Sequence, residues 1–513
     1  MGPPALQSVL GDAPVTTPGG FLLVLALMTP VLGALAGFVF GGRAAERLAV
    51  LMAPIGLAIS LSILAMVLRT DAALVYVVGD WAPPLGVALR ADGFSAAMVV
   101  MTAVVMTAVL LYARTDFSTP AGIREARRPL SFWVLVLGVW NALLAVFLSN
   151  DLFSLYVGLE LLTFAGVPLV CLDGRAETLE AALRYLMFAL LGSVLYLLGA
   201  ALVYGTFGTL DLTMLSGRLG RGPLGAVAVA LMIAGLFAKA ALFPLHLWLP
   251  PAHGGAPPAA SAILSALVVK ASFFLVVRLW LGLSPDLSKV MASQLIAALG
   301  AAAILFGGGL ALRQARLKMM IAYSTVAQIG YLFLMFPLLA AGAGGVHTAV
   351  LTGGLMQAVS HACAKAALFL AAGLLAGALG GDLIAGLRGL GRTLPLTVLA
   401  MGIGGMSLIG LPPSGGFRAK WLLLSAAITT GQWWWALVML AGGLLSVGYV
   451  FRILNPALAR VEEPLALRAP VSRQREVIVL ALALCSLLLG FSAIVPANLA
   501  AIGIGKAPEV TVP

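Results

Sequence analysis

The sequence predicts an all-α polytopic membrane protein with about 14 transmembrane helices. Of the 513 residues, 62% are hydrophobic and only 10% are charged, and the mean hydropathy is +1.09. A soluble globular chain is about 45–50% apolar and about 25% charged. The apolar runs are about 20 residues long and lack the alternation of barrel strands, so they are typical of membrane-spanning helices.

The hydrophobic segments follow one another along the chain. They begin near Phe21, Leu48, Gly93, Leu130, Leu152, Leu183, Leu224, Ala259, Val290, Met319, Thr348, Pro395, Trp433 and Val477. No basic residue precedes the first segment, which therefore reads as a retained helix and not as a cleaved signal. Between the second and third segments, Val75–Asp92 alternates around two prolines and predicts a β-hairpin outside the membrane.

Basic residues are unevenly distributed over the loops. The net charge of +11 would suggest a nucleic-acid partner in a soluble protein, but in short loops it follows the positive-inside rule. With the N-terminus outside, the inner loops hold 18 basic residues and the outer loops and tail hold 6. The sequence therefore predicts that both termini lie outside. Arg278 is near the end of its helix, a position from which an arginine can snorkel towards the interface.

Cofactor chemistry has no signature in this chain. Cys171, Cys363 and Cys485 all fall in apolar runs without a CxxC pair, so neither an iron–sulfur cluster nor a zinc site is indicated. No short motif for a nucleotide, a metal or haem is present, and we predict no cofactor.

The stretch at residues 236–281 is the most informative part of the sequence. It is apolar enough for a bilayer, yet five prolines interrupt it and it contains Lys239 and Lys270. Proline breaks or kinks a helix, and irregular backbone at membrane depth is tolerated only inside protein or beside a wet cavity. Each lysine costs about 2.5–3.5 kcal/mol near mid-membrane. A second lysine–proline segment, at 408–424, lies five segments later, as expected for two inverted halves around a transport site.

Further buried charges extend the predicted ion path. Glu160 is the only acid in its apolar helix, and either pairs statically with a lysine or forms a proton switch with it. His361 and Lys365 lie four residues apart and share a helix face; the histidine is either a relay or a packing residue. Lys420 follows the second break. We favour it over the nearby Arg418 because arginine scarcely releases its proton.

Weaker candidates flank these residues. His246 and His253 follow the first break, and His253 is expected in a Pro/Gly loop at the inner face, where it is either a site at which protons enter or an ordinary loop residue. Tyr323, Ser324 and Gln328 either hold waters between charged sites or join helices by hydrogen bonds.

Two blocks of sequence carry a family resemblance. KAALFPLHLWLPPAHGGAPPAASAILSALVVK (239–270) and LPPSGGFRAKW (411–421) resemble the antiporter-like subunits of the respiratory complex I superfamily, which include the A and D subunits of Mrp cation/proton antiporters. The resemblance spans nearly the whole chain. It implies two inverted five-helix repeats with broken helices 7 and 12, and a location in the bacterial inner membrane.

The resemblance also implies domain bounds and residue roles. Residues 1–129 would hold three helices and a periplasmic hairpin, 130–283 the first repeat (helices 4–8), 284–456 the second (helices 9–13), and 457–513 a cytoplasmic loop and the last helix. The proton relay would comprise Glu160, Lys239, Lys270, His361, Lys365 and Lys420.

The sequence departs from the family pattern at two places. Pro251 stands where the family often has an acid, which puts a loop contact in doubt, and segment 6 lacks the acid that some members place beside the helix-7 lysine. Lys420, where one complex I subunit has glutamate, looks more like the Mrp D subunit or other complex I paralogues.

Three classes of function are compatible with a membrane protein of this kind. We predict a proton-translocating subunit of a multisubunit Na⁺/H⁺ antiporter, assembled with homologous and small membrane subunits; the alternative is a proton-pumping subunit of NADH–quinone oxidoreductase or a membrane-bound hydrogenase. A quinone enzyme would need its redox centres in partner subunits. A non-conducting scaffold would gain nothing from costly buried charges.

Overall fold

The computed structural model describes residues 14–120, 122–123, 125–282, 287–462, 465–491 and 496–504. Within them, a helix coincides with each predicted hydrophobic segment. The helices are α1 Phe21–Phe40, α2 Gly42–Thr70, α3 Gly93–Ala113, α4 Arg127–Leu148, α5 Leu152–Val170, α6 Ala176–Phe207, α7a Gly222–Lys239, α7b Leu249–Gly255, α8 Pro258–Gly282, α9 Leu287–Arg313, α10 Leu317–Ala341, α11 Gly344–Leu379, α12a Pro395–Ile409, α12b Gly415–Thr429, α13 Trp433–Leu458 and α14 Arg473–Leu488.

Helix length bears on the number of membrane crossings. Twelve helices among the described residues are long and apolar enough to span a bilayer. The two remaining segments are shorter: α12 is interrupted between two halves of 15 residues each, and α14 has 16 residues. The all-α membrane fold is confirmed, whereas the count of 14 crossings stays a prediction.

Both predicted helix breaks are present. Helix α7a ends at Lys239, and the chain resumes helical structure at Leu249 after an irregular stretch that contains Pro244. Helix α12a ends at Ile409, where Gly410 takes a left-handed conformation (φ 90°), which glycine adopts without steric cost. The two lysines differ in position: Lys239 comes before the break in α7, whereas Lys420 comes after the break in α12.

The predicted hairpin forms at the expected place. Strands β1 (Leu74–Val77) and β2 (Ala88–Ala91) pair antiparallel, with Leu74 opposite Ala91. Asp92 follows β2 and caps α3 by accepting a hydrogen bond from the Ser95 N–H at 2.9 Å. The hairpin therefore leads directly into the buried helix α3.

The interpretation of Arg278 as a snorkelling residue was wrong. Its guanidinium forms a salt bridge with the fully buried Asp92, donates to Ser95 Oγ at 2.6 Å and lies over the Phe274 ring at 5.0 Å. An ion pair between α8 and the start of α3 satisfies both charges inside the protein, which the helix-end position alone could not reveal.

We expect Arg278→Met to lower the free energy of unfolding by about 3–5 kcal/mol, because it removes the cation that is hydrogen-bonded to the buried Asp92 carboxylate. Thermal unfolding of the detergent-purified protein measures the loss. A second substitution, Asp92→Asn, should recover most of it, since asparagine also caps a helix. If Arg278→Met unfolded at the same temperature as the wild type, the pair with Asp92 would not stabilise the fold.

Burial separates an inner set of helices from an outer set. Helix α8 is buried along its whole length and α10 and α11 along most of theirs, whereas α1 and α2 are largely exposed. The exposed faces are apolar and suit lipid, while the lysines of α8 and α11 lie among other helices. This arrangement places Lys270 and Lys365 in the protein interior.

Candidate functional site

The predicted switch pair is in contact. Lys239, the last residue of α7a, places its Nζ 3.2 Å from Glu160 Oε1, 3.0 Å from Thr163 Oγ1 and 3.4 Å from the Leu159 carbonyl oxygen. Ser193 on α6 donates to the same Glu160 oxygen. Where the sequence lacks an acid in segment 6, the structure therefore supplies a hydroxyl. We call Glu160, Lys239, Thr163 and Ser193 the first cluster.

Lys270 lies beside an irregular turn of α8. Residues Leu264–Val268 form a π-helical turn, and Lys270 Nζ donates to the Ser265 carbonyl oxygen. The Ser265 hydroxyl lies 2.9 Å from Thr325 Oγ1 on α10. Single π-helical turns are rare overall, but those that occur are often found at functional sites. This turn was not predicted, because no proline or glycine marks it.

Lys365 reaches the same part of α10. Its Nζ donates to the Ile321 carbonyl oxygen at 2.8 Å and to Ser324 Oγ at 2.5 Å. The Thr325 hydroxyl also donates to the Ile321 oxygen, at 3.0 Å. The Ile321 oxygen thus joins Lys365 to the Ser265–Thr325 pair and, through Ser265, to Lys270. We call Lys270, Ser265, Thr325, Ser324 and Lys365 the central cluster.

The first and central clusters hold a lysine in similar ways. Thr163 on α5 donates to the Leu159 carbonyl oxygen four residues earlier, and Lys239 contacts both groups. Ser324 on α10 donates to the Ile321 oxygen at 2.9 Å, and Lys365 contacts both of those. The carboxylate of Glu160 in the first cluster has no counterpart among the hydrogen bonds of Lys365.

Lys420 binds to the end of the broken helix. Its Nζ donates to the carbonyl oxygens of Leu408 and Ile409 at 2.7 and 3.1 Å, which the break leaves without helical partners. Gln328 donates to the same Leu408 oxygen at 3.0 Å, and Gln357 donates to Gln328 Oε1 at 3.0 Å. We call Lys420, Gln328 and Gln357 the third cluster.

Small cavities adjoin the clusters. One is lined by Lys239 and Thr163 and also by Val268 and Ser272 of α8, which carries Lys270. A second is lined by Ser324 of the central cluster together with Leu408 and Tyr449, which adjoin the third cluster. Among the described residues, no hydrogen bond links one cluster to the next.

The three candidate histidines are buried. His361 and His253 each have both ring nitrogens without a hydrogen-bond partner in the part of the chain that the structure describes, and His253 stacks on Phe369 with ring centroids 4.6 Å apart. His253 lies in helix α7b and not in a loop, so that expectation was wrong. His246 lies in the irregular stretch after α7a and stacks on Phe243.

Besides Asp92, two buried carboxylates escaped the sequence reasoning because they lie at segment ends. Glu476 on α14 accepts from Thr397 Oγ1 at 2.8 Å at the start of α12a. Asp211, in the loop before α7a, accepts from Asn150 at 2.9 Å. Burial raises the pKa of the Asp211 carboxyl, while hydrogen bonds from the Met214 N–H, Asn150 and the Thr213 N–H lower it. Both carboxylates have structural partners and lie outside the three clusters.

Sequence comparisons find relatives over most of the chain. A family model described as NADH:quinone oxidoreductase/Mrp antiporter, TM, matches residues 149–446. The chain is 34% identical to NADH-quinone oxidoreductase subunit N of Desulforudis audaxviator, over 76% of this chain and 78% of that protein. It is 30% identical to the Na⁺/H⁺ antiporter D subunit of Alkalihalophilus pseudofirmus, over 73% of this chain and 74% of that protein.

Solved structures share the fold. A chain in the Mrp complex from Dietzia sp. superposes with a TM-score of 0.83 at 25% identity, covering 94% of this chain and 96% of that one. A chain in respiratory complex I from Thermus thermophilus superposes with a TM-score of 0.72 at 28% identity, covering 94% and 100%. The fold inferred from the sequence is therefore that of known membrane subunits of both kinds of complex.

Proposed function

Because the chain belongs to the NADH:quinone oxidoreductase/Mrp antiporter transmembrane family, we propose that it translocates protons as a subunit of a multisubunit Na⁺/H⁺ antiporter. The likeness to the antiporter D subunit and to the Mrp complex supports the antiporter. The partners would be homologous and small membrane subunits of one hetero-oligomeric complex in a bacterial inner membrane, and the ions H⁺ and Na⁺.

The Lys239–Glu160 pair is the observation that carries the proposal. Lys239 has a charged partner in Glu160 and neutral partners in Thr163 and Leu159, all within 3.4 Å. If Glu160 takes up a proton or moves away, the lysine still has oxygen atoms to bind. A lysine that can exchange a charged partner for neutral ones can gain and release a proton during a cycle.

The remaining clusters supply the onward path. We place Lys270, His361 and Lys365 after the first pair and Lys420 last, with water in the cavities completing the hydrogen-bonded chain. His246 and His253 are the candidates at which protons enter. His253 lies fully buried on α7b, so protons would reach it only through water inside the protein.

The same proposal includes domain bounds and orientation. The predicted repeats, 130–283 and 284–456, each contain one broken helix, α7 and α12. The charge asymmetry of the loops favours both termini outside. Labelling of single cysteines placed in loops, by an impermeant reagent added from one side of the membrane, tests the orientation.

The alternative function is proton pumping in the membrane arm of NADH–quinone oxidoreductase or a membrane-bound hydrogenase. Identity favours it, since subunit N of Desulforudis audaxviator is 34% identical and the antiporter D subunit 30%. The structural matches do not separate the two functions, because the TM-score is 0.83 both for the Mrp chain and for a chain of the membrane-bound sulfane sulfur reductase, an archaeal respiratory membrane complex, and 0.72 for the complex I chain. In the redox complex, electron-transfer centres would belong to partner subunits.

Gentle purification of the native assembly separates the two functions. Mass spectrometry that finds only membrane subunits, together with Na⁺-dependent proton release from everted vesicles, is the expected result. Hydrophilic subunits with flavin, iron–sulfur clusters or nickel would overturn the antiporter and establish the alternative.

A further inference from the structure

The ammonium of Lys420 has an aromatic neighbour. Its Nζ lies 4.1 Å from the centroid of the Tyr331 ring, while the Leu408 and Ile409 carbonyl oxygens bind it at 2.7 and 3.1 Å. A cation within about 6 Å of a ring centroid is attracted by the negative face of the ring, most strongly where water is absent. Tyr331 is fully buried, so this contact is made away from solvent.

Among the described residues of the second half of the chain, no carboxylate binds Lys420. Helices α9–α14 contain a single acid, Glu476. Glu476 lies in the first turn of α14 and accepts a hydrogen bond from Thr397 in the first turn of α12a. Lys420 binds a carbonyl oxygen in the last turn of α12a, at the other end of that helix. The carbonyl dipoles and the ring face are therefore the negative groups that the ammonium contacts.

The Tyr331 hydroxyl contacts α13 and not Lys420. The hydroxyl donates to the Met439 carbonyl oxygen on α13 at 3.0 Å. Gly442, one turn along, makes room for it, since a Cβ at this glycine would meet the Tyr331 oxygen at 2.4 Å. The hydroxyl is thus engaged on α13, and the ring presents its face to Lys420.

We propose that Tyr331 is a positioning residue that stabilises the ammonium form of Lys420 through its ring face and replaces a carboxylate partner. The inference deepens the proposed function, because it rests on Lys420 belonging to the proton path. A lysine paired with a carboxylate leaves a buried anion when it loses its proton, which is costly in a bilayer. A lysine on a ring face leaves a neutral site and releases its proton without that cost.

Other titratable and charged groups surround this site. Helix α12b packs against α10, α11, α12a, α13 and α14. Besides Tyr331 on α10, His361 on α11 lies close enough to feel the charge of Lys420. The other titratable or charged residues that the structure describes on these elements are Lys318 and Tyr323 on α10, His347, Cys363 and Lys365 on α11, Tyr449 and Arg452 on α13, Arg473, Arg475, Glu476 and Cys485 on α14, and Arg418 on α12b itself. Glu476 is the one carboxylate among them and accepts from Thr397, so the ring remains the feature to test.

Substitution of Tyr331 separates the ring from the hydroxyl. Tyr331→Leu removes the ring face, and Tyr331→Phe keeps it while deleting the bond to Met439. Phe333→Leu is a matched control, since it removes a buried ring of α10 that contacts Phe237 and Phe273. All variants are produced with the native partner subunits, and proton transport by everted vesicles is followed over a range of pH.

We expect the pH of half-maximal transport to fall by about one unit in Tyr331→Leu, because a desolvated cation–π contact is worth about one pH unit of proton affinity. Tyr331→Phe and Phe333→Leu should keep the wild-type profile. A wild-type profile in Tyr331→Leu, or the same shift in Tyr331→Phe, would overturn the inference.

A second measurement does not depend on transport. A membrane-permeant amine reagent modifies only unprotonated lysine, and mass spectrometry gives the modified fraction of Lys420 at each pH, normalised to its value at the highest pH. Modification of Lys420 should begin about one unit lower in Tyr331→Leu than in wild type or Tyr331→Phe. Identical curves would refute the role of the ring. Absence of transport by the wild-type assembly would instead refute the proposed function alone.

Discussion

Lys239→Arg is expected to abolish proton transport although it preserves the positive charge at the end of α7a. Arginine can still pair with Glu160 and donate to Thr163, but it scarcely releases a proton inside a protein. Loss of a positioned proton-transfer group costs about 100-fold or more in rate. Transport in everted vesicles, compared at equal amounts of assembled complex, measures the effect.

The arginine variant distinguishes proton transfer from structural pairing. If Lys239 served only to neutralise Glu160, the arginine would substitute for it and transport would continue. Lys239→Ala should also be inactive, yet still insert, since Ser193 continues to donate to Glu160. Lys506→Ala is the control, in a tail outside the described residues, and should transport normally. Normal pumping by Lys239→Arg would show that the first cluster is not part of the path.

Lys365→Ala is expected to give the second large loss, again about 100-fold or more. Its ammonium joins α11 to α10 at the Ile321 carbonyl oxygen and the Ser324 hydroxyl. Ser324→Ala should have a smaller effect of about tenfold, because it removes one hydrogen bond of Lys365 and leaves the Ile321 oxygen in place. Initial rates of proton movement in vesicles give both values.

A matched serine controls for the loss of a hydroxyl in a helix. Ser62 on α2 donates to the Ala58 oxygen four residues earlier at 2.9 Å, is exposed, and lies on a helix that carries none of the cluster residues. Ser62→Ala should leave the rate unchanged. Equal effects of Ser62→Ala and Ser324→Ala, or an active Lys365→Ala, would argue that protons bypass the central cluster.

Some properties of the site were readable from local sequence. The break in α7 follows from Pro244, which has no N–H to donate, and the break in α12 from Pro412 and Pro413 beside glycines. The candidate lysines stood out because a charge in an apolar helix is rare and costly. That Glu160 would meet a lysine followed from its being the only acid in its helix.

Other features depended on neighbours that local sequence does not reveal. The π-helical turn before Lys270 has no proline or glycine within it. His253 lies in a helix and not in a loop, because the chain resumes helical structure as α7b after the break. The position of Arg278 near a helix end suggested that it reaches the interface, but its guanidinium forms a salt bridge with Asp92 at the start of α3. The partner of Arg278 comes from a distant part of the chain, and local hydropathy does not indicate it.

The sequence by itself determined the membrane-spanning fold, the two breaks and the lysines that must be buried, because hydropathy, proline and charge act within one helix. Only the tertiary structure decided what each lysine contacts: a carboxylate for Lys239, a carbonyl and hydroxyl of α10 for Lys365, and carbonyls and the Tyr331 ring for Lys420. The physical reason is that carbonyls, hydroxyls and rings occur throughout apolar helices. They become partners of a charge only when packing turns them towards it.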